Sequence, residues 1–522
     1  MKRRVSITLL AALMATAAAL GMAGLVSSAG AASPSGNLVV PGIWSLATPS
    51  TTTSAVNVLS SVSCTSASNC FAVGYTSAVA GAHQTLVEQW NGTTWSIVTS
   101  PSVSLTDNSD LVSVSCLTAS SCIAVGSYVT AGVTQTLAEQ WNGTTWSIIT
   151  TPNVSTTQAN LRSVSCSSAT FCVATGDAGN TGSDVPLALA WNGTAWSTAT
   201  LPSLPTGDTG TLAGVVCKNA AFCTGVGQVT GTGGTNALIE QWNGTGWSIV
   251  ANADSAISSS LAGVSCPSTT QCVAVGENLA NANSSNLIEQ WNGTTWSNSV
   301  APQSGTTAYD LTDVSCFGST SCVAVGTVVA SAPNTVPQAL AWNGTSWVAQ
   351  TPVTPSSTNL NPLYGIACVG GQTCVAVGSS RPTGSTTTLN ALIQTAPIVR
   401  PGYRFVASDG GVFNYGGASF NGSAGSLKLN QPVVGMAATP DGGGYWLVAS
   451  DGGIFSYGDA VFRGSTGAMK LNQPVVGMSS TPSGNGYWLV ASDGGVFSYG
   501  DAVFSGSTGN IHLNKPIVGM SA

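Results

Sequence analysis

Residues 111–126 read Leu111-Val112-Ser113-Val114-Ser115-Cys116, then five residues, then Cys122-Ile123-Ala124-Val125-Gly126. After a loop comes Leu137-Ala138-Glu139-Gln140-Trp141-Asn142-Gly143-Thr144-Thr145-Trp146-Ser147. Versions of this text recur seven times at intervals of 49 to 52 residues. Their cysteine pairs are Cys64 with Cys70, Cys116 with Cys122, Cys166 with Cys172, Cys217 with Cys223, Cys266 with Cys272, Cys316 with Cys322 and Cys368 with Cys374, which uses all 14 cysteines. A period of this size means that one supersecondary unit is stacked on copies of itself.

Within each unit a leucine stands five positions before the first cysteine (Leu59, Leu111, Leu161, Leu212, Leu261, Leu311, Leu363), and Val or Ile stands two before it. This predicts a strand A, and the short apolar run after the second cysteine predicts a strand B buried on both faces. Cysteines facing each other across the A–B hairpin have the separation a disulfide requires. Zinc fails on ligand count: each unit offers two cysteines, and the chain has only His83 and His512. The LxEQW segment predicts strand C and the TWSI segment strand D, joined at Asn91-Gly92, Asn142-Gly143, Asn192-Gly193, Asn243-Gly244, Asn292-Gly293 and Asn343-Gly344. Asn-Gly is a strong hairpin signal, since both residues tolerate positive φ. The same sites fit the N-x-T glycosylation pattern, but turn chemistry accounts for them.

Four strands in each of seven units describe an all-β, seven-bladed β-propeller with intrablade disulfides, placed at residues 39–400. The seventh unit stops after Ala391-Leu392-Ile393-Gln394 without a WNGTTWS text, whereas Gly42-Ile43-Trp44-Ser45-Leu46-Ala47-Thr48-Pro49 matches the strand-D text. Residues 42–49 are therefore expected to complete the last blade, which removes an open sheet edge. The near-identical A–B and C–D turns fall on one face of the ring and the variable B–C and D–A loops on the other. Irregular loops on a rigid scaffold are where binding usually sits.

Lys2, Arg3 and Arg4, an apolar run over residues 5–26 and Ala29-Gly30-Ala31-Ala32 predict a signal peptide at 1–31 and an extracellular or wall-associated protein with no later transmembrane segment. Its removal leaves nine basic against 19 acidic residues, so no nucleic acid is expected as a partner. A monomer is expected. An even cysteine count in an exported chain fits disulfides.

From residue 402 a different unit appears three times at a spacing of 42, as GYRFVASDGGVFNYG, GYWLVASDGGIFSYG and GYWLVASDGGVFSYG. It predicts a smaller three-repeat all-β module at 402–522, for which a closed threefold form is favoured over an incomplete propeller. This text resembles a repeat of exported and wall-associated proteins of high-GC Gram-positive bacteria, which implies a location rather than an activity. The WNGTTWS turn is similar to the Asp-box hairpins of sialidase-type propellers. Asn stands where Asp is usual, and Arg162 and Arg381 alone cannot supply a sialidase arginine cluster.

Other chemistry is discounted. Glu88, Glu139, Glu240 and Glu289 recur at one place in separate blades and are expected to be solvated strand residues near the C–D turns. Asp451 with Asp459 and Asp493 with Asp501 suggest calcium, but Asp-Gly-Gly already makes a turn and the first copy has Gly417 at the second position. No cofactor, metal or catalytic residue is expected. The leading expectation is a secreted, non-catalytic binding or scaffold protein that recognises a surface glycan of the cell wall or an exported protein. Tyr75, Tyr128, Asp177, Glu277 and Asp310, beside the variable-loop face, are the candidate ligand-binding residues. The alternatives are a carbohydrate-active hydrolase using acids such as Asp177, Asp310 or Glu277, and a purely structural wall component.

Overall fold

The structure, a computed structural model, describes residues 40–521 apart from 51, 79–80, 180–182, 254–257, 280–283, 304–307, 332–333, 356–359, 370–371, 400–401, 417 and 440–442. The signal-peptide expectation at 1–31 lies outside the described residues.

Seven four-stranded antiparallel blades follow one another along the chain, each in the order A-B-C-D, with blades 2 and 3 joined into one sheet by a single parallel pair, Gln158 with Thr134. The A strands are Val56–Ser66, Ser109–Thr118, Gln158–Ser168, Thr209–Asn219, Ser259–Ser268, Tyr309–Gly318 and Leu363–Val369. The B strands are Asn69–Ser77, Ser121–Thr130, Phe171–Gly179, Phe222–Gly231, Gln271–Asn278, Ser321–Ser331 and Thr373–Ser380. The C strands are Gln84–Trp90, Val133–Trp141, Val185–Trp191, Gly234–Trp242, Ser285–Trp291, Asn334–Trp342 and Asn390–Val399. The D strands of the first six blades are Trp95–Ile97, Trp146–Ile148, Trp196–Thr198, Trp247–Ile249, Trp296–Asn298 and Trp347–Gln350. The A strands of successive blades lie side by side around a central channel, that of blade 7 against that of blade 1. The protein is an all-β, seven-bladed propeller.

In each blade the two cysteines sit opposite one another at the A–B hairpin, with Cα atoms 4.0 Å apart. Cys64 is bonded to Cys70, Cys116 to Cys122, Cys166 to Cys172 and Cys217 to Cys223. In the remaining blades Cys266 is bonded to Cys272, Cys316 to Cys322 and Cys368 to Cys374. All seven bridges are intrablade, as the spacing predicts, and no cysteine is left free. They fit an oxidising, extracellular compartment. The second cysteine of each pair opens strand B and is buried against the blade interior: Cys70, Cys122, Cys172, Cys223, Cys272, Cys322 and Cys374 are all 2% exposed or less. Among the described residues no helix is long and apolar enough to cross a membrane.

Each A strand carries a bulge. Leu59 pairs with Gly74 and Ser61 with Val73, which leaves Ser60 as an extra residue. This explains the glycine that ends CVAVG, because a Cβ on Gly74 would lie 1.9 Å from the Val58 carbonyl oxygen. The A-strand leucines are fully buried between blades, and Leu111, Val114, Ala124 and Leu137 of blade 2 pack against Phe71, Val73 and Val87 of blade 1. Each such side chain contributes about 1.5–3 kcal/mol.

Around the channel, side-chain oxygens fasten one blade to the next. Ser61 and Ser63 accept hydrogen bonds from the backbone N–H groups of Val114 and Cys116, at 3.4 and 3.0 Å. Ser113 and Ser115 serve blade 3, Ser163 and Ser165 blade 4, Ser265 blade 6, and Asp313 with Ser315 blade 7. At the seams from blade 4 to 5 and from blade 7 to 1, these positions hold Gly214 and Val216, and Gly365 and Ala367, which carry no side-chain oxygen.

The WNGTTWS hairpin departs from the two-residue turn that Asn-Gly predicts. Trp90 pairs with Trp95 across a four-residue loop in which only Gly92 has positive φ, at 97°. Asn91 Oδ1 accepts the N–H groups of Thr93 and Thr94, both at 2.9 Å, so the asparagine caps the loop with its side chain. Trp90 Nε1 donates to the Ala67 carbonyl at 2.9 Å, which ties the turn to the A–B hairpin of its own blade. Gly92 is pressed against Ser68, where a Cβ would come within 2.9 Å.

Strand Ser45–Ala47 pairs with Thr395, Gln394 and Ile393, on the edge where the other blades hold strand D. Trp44 is buried beside Leu392 and Ala396, in the place Trp95 takes in blade 1. Emptying this site should be costly: Trp44→Ala is expected to lower stability by about 3–5 kcal/mol. Chemical denaturation checks this, and an unchanged midpoint would mean that the N-terminal strand contributes nothing to closing the ring.

The expectation for the strand-C glutamates is overturned. Glu88, Glu139, Glu240 and Glu289 are fully buried rather than solvated. Strand C is covered on both faces, and the glutamates point at the D–A connection of the preceding blade. Glu88 accepts the Ser50 N–H at 2.8 Å, Glu139 the Ser100 hydroxyl at 2.7 Å, and Glu289 the Ala253 N–H at 3.0 Å. In blade 7 the position is Gln394, which both accepts from Val353 N–H and donates to its carbonyl, each at 2.8 Å.

The C-terminal repeats form hairpin Gly402–Val406 with Val412–Gly416, then two three-stranded sheets, Val433–Ala438 with Gly444–Ala449 and Ile454–Gly458, and Val475–Ser480 with Gly486–Ala491 and Val496–Gly500. They stack in chain order rather than closing on themselves. The N–H groups of Val433, Val475 and Ile517 each donate to the preceding repeat, at Ser408, Ser450 and Ser492, at 2.9 Å. Gly435 meets Gly477, and Gly477 meets Gly519, so each step repeats the last.

Candidate functional site

The bulge places one extra residue per blade at the channel wall: Ser60, Val112, Arg162, Ala213, Ala262, Thr312 and Tyr364 line a narrow central cavity of about 190 Å³. Most are small. Arg162 and Tyr364 are the exceptions, and they bring a cation and an aromatic ring into a space otherwise edged by serine and threonine hydroxyls, Val and Ala side chains, glycines and Asp313.

Next to it, on the face carrying the B–C and D–A loops, lies an open recess of about 500 Å³ lined by Tyr75, His83, Asp110, Ser127, Asn160 and Arg162, among others. Two polar pairs frame it. His83 Nδ1 lies 2.7 Å from Asp110 Oδ1, and the imidazole stacks on Tyr75 with ring centroids 4.0 Å apart and planes 12° from parallel. Arg162 pairs through Nε with Asp177, whose other oxygen accepts the Asn160 amide at 3.0 Å. Burial raises the Asp110 carboxyl above its ordinary range, against the opposing pull of the His83 hydrogen bond and charge. The Tyr75 hydroxyl is raised by burial first, and then by the nearby Asp110 and Tyr364. The arrangement offers aromatic faces and oriented donors and acceptors, the combination that fixes a polar ligand in a pocket.

The candidate residues from the sequence do not converge on one point. Tyr75 lines the recess, and Asp177 is buried beside it under Arg162. Tyr128 lines a separate recess of about 820 Å³ at the edge between blades 2 and 3, with Gln135 and Thr157. Glu277 and Asp310 belong to blades 5 and 6 and line neither recess. Burial raises both carboxyls, and Asp310's charge raises Glu277 further. Sequence reasoning does not select His83, Asp110, Asn160, Arg162 or Tyr364. A signal for two of them is present: aligned on the leucine before each cysteine pair, the next position reads Ser, Val, Arg, Ala, Ala, Thr, Tyr, and its two large members are the ones that fill the channel.

Among the described residues no group of three or more His, Cys, Asp or Glu could hold a metal. The C-terminal aspartates serve turns: Asp451 Oδ1 accepts the Gly453 N–H at 2.9 Å and Asp459 the Thr439 hydroxyl at 3.0 Å.

These features define a disulfide-braced seven-bladed propeller with a polar recess beside its channel. No protein-family model matches the chain, and no curated protein matches it. It is similar in structure to one solved structure described as YCF48 bound to D1 peptide, at 12% identity and TM-score 0.42, over 68% of this chain and 94% of the other. It is also similar to the WD40 repeats of RRP9, at 9% identity and TM-score 0.46, over 69% of this chain and all of the other.

Proposed function

We propose that this is a secreted, non-catalytic binding propeller that recognises a cell-wall glycan through the recess beside its channel, with the C-terminal repeats aiding attachment. The observation that carries this reading is the pairing of Tyr75, His83 and Asp110 with Arg162 and Asp177 around one open recess. Aromatic faces suit the apolar faces of sugar rings, and fixed planar donors and acceptors suit their hydroxyls.

The test is retention of the purified protein on peptidoglycan and on extracted wall polysaccharide, followed by titration. Tyr75→Ala and Tyr364→Ala are expected to weaken binding about tenfold or more, with little change in melting. Asn142→Ala, in a C–D turn, is expected to lower melting without changing the affinity of the folded protein. Binding that tracked Asn142 and ignored the tyrosines would place the site on the opposite face. Retention only by an exported protein would replace the glycan with that class of partner.

The nearness of Glu277 to Asp310, whose charge raises the Glu277 carboxyl, favours a second reading, a glycan hydrolase. It requires that the wild type release reducing ends from the bound polysaccharide and that Glu277→Gln stop it.

A further inference from the structure

The C-terminal repeats carry a regular apolar surface that the fold does not use. After strand Ile454–Gly458 the chain turns back across its own sheet and is tied there twice: Trp446 Nε1 donates to the Val461 carbonyl at 3.0 Å, and the Thr466 hydroxyl donates to the Asp451 carbonyl at 3.1 Å. The inward positions of this return segment are small. Ala460 and Thr466 are buried, and Gly464 lies so close to Tyr499 of the next repeat that a Cβ would come within 2.4 Å of the ring. Alanine, glycine and threonine therefore close the core, and the large side chains of the segment stand outside it.

Those outside positions are apolar in every copy. Phe420, Phe462 and Phe504 are 62, 56 and 57% exposed, and Leu427, Met469 and Ile511 are 52, 60 and 58% exposed. Both sets recur at the repeat spacing of 42, so the stacking step that relates one repeat to the next sets them in two rows along one side of the stack. Phe462 and Met469 have a repeat on either side and are as open as the others, so no neighbour in the stack covers these rows. Surface positions filled in this way by Phe, Leu, Met and Ile mark a contact rather than a requirement of the fold. A basic residue follows the second row: Lys428, Lys470 and His512 come directly after Leu427, Met469 and Ile511, and all three are exposed. Neither lysine pairs with an acid among the described residues. The nearby aspartates serve their own chain, Asp451 and Asp493 accepting the N–H groups of Gly453 and Gly495, and Asp459 and Asp501 the hydroxyls of Thr439 and Thr481. Of the nine lysines and arginines after residue 31, five lie in these repeats.

We infer that this side of the C-terminal repeats docks on a membrane surface rich in anionic lipid, each repeat placing one phenylalanine and one aliphatic side chain at the interface. Apolar side chains beside unpaired lysines match the boundary of an anionic bilayer, where rings and aliphatic chains enter between the headgroups and ammonium groups meet phosphates. A sugar surface calls instead for aromatic residues with a polar tip and for fixed amides, which these rows do not hold. A second copy laid face to face would set the lysines against their own kind. The contact is peripheral, made by return segments rather than by a spanning element, and three weak insertions on one stack act together. The recess of the propeller takes no part in it.

Co-sedimentation of the full chain with vesicles of phosphatidylglycerol and with vesicles of phosphatidylcholine tests this. Binding is expected to be at least about tenfold tighter on the first, and to weaken as salt is raised from about 0.05 to 0.5 M. Phe420→Ser, Phe462→Ser and Phe504→Ser together are expected to weaken it about a hundredfold with unchanged melting, because the replaced rings lie outside the core. Lys428→Gln with Lys470→Gln is expected to remove most of the preference for anionic lipid and most of the salt dependence. A wild type that both kinds of vesicle leave in solution overturns the inference, as does binding that the phenylalanine exchanges leave unaltered. So does a wild type whose mass doubles without vesicles and returns to that of one chain on the phenylalanine exchanges, which would assign the rows to a second copy.

Discussion

Reducing the seven disulfides is expected to unfold the propeller under conditions in which the oxidised chain is stable. Each bridge joins cysteines six residues apart. In the chain-entropy treatment a loop of that size contributes about 2 kcal/mol. The bridges lie in separate blades, so their contributions are nearly independent and total on the order of 15 kcal/mol. A folded domain retains about 5–15 kcal/mol in all, so the loss is of the size of the whole. Denaturation of oxidised and of reduced, alkylated protein measures the difference, and peptide mapping without reduction should return each pair from its own blade. A reduced chain with the same denaturation midpoint would show that the blades hold without their bridges.

Raising the pH from about 5 to past 7 is expected to weaken the propeller, against the common pattern in which carboxylates stabilise a fold above acidic pH. Glu88, Glu139 and Glu240 are each pushed from 4.5 to about 7, in every case chiefly by burial, with the first two pulled back in part by Ser50 and Ser100. A carboxyl whose pKa is raised in the folded state favours folding fully below its unfolded value, and that contribution is lost as pH rises through the folded value. The difference corresponds to about 3 kcal/mol for each group. Asp313, which holds Ile366 and Val314 of the channel wall, is raised to about 7 by burial and adds to the trend. Melting temperature should therefore fall between about pH 5 and 8, with the loss complete once the folded-state value is passed. Glutamine in place of the three glutamates should remove most of that fall, as Gln394 already shows how an amide satisfies the site. Variants that melt lower than wild type at about pH 8 would mean that the carboxylates are compensated in the folded state.

The propeller was legible because its instructions are local and repeated. The cysteine spacing, the buried leucine and the Trp-Asn-Gly-Thr text each act within one blade, and seven copies remove ambiguity. The burial of Glu88 was not legible from its own blade, because the covering comes from Ser50 in a different stretch of chain. A trace existed: the same register holds Leu189, Leu340 and Gln394 in other blades, residues that suit a dry site. The recess was harder still. His83 and Asp110 come from blades 1 and 2, and Arg162 from the bulge of blade 3, so only the closed ring brings them together. Glu277 and Asp310 follow the same register on the far side, which is why the sequence grouped them with Tyr75 although the recess does not.

The serine fastenings around the channel are unevenly shared among the seams. Those from blade 4 to 5 and from blade 7 to 1 lack them and are closed away from the channel wall instead: Ser259 accepts the Ala237 N–H at 3.2 Å, Gln372 accepts the Ala67 N–H at 3.3 Å, and the Asn57 N–H donates to the Leu389 carbonyl at 2.8 Å. Every residue of the recess, from Ser60 to Ala213, lies within blades 1–4. The spacing between Tyr75, Asp110 and Arg162 is therefore set across seams that the channel serines fasten, each such hydrogen bond adding about 1 kcal/mol to holding the recess in shape.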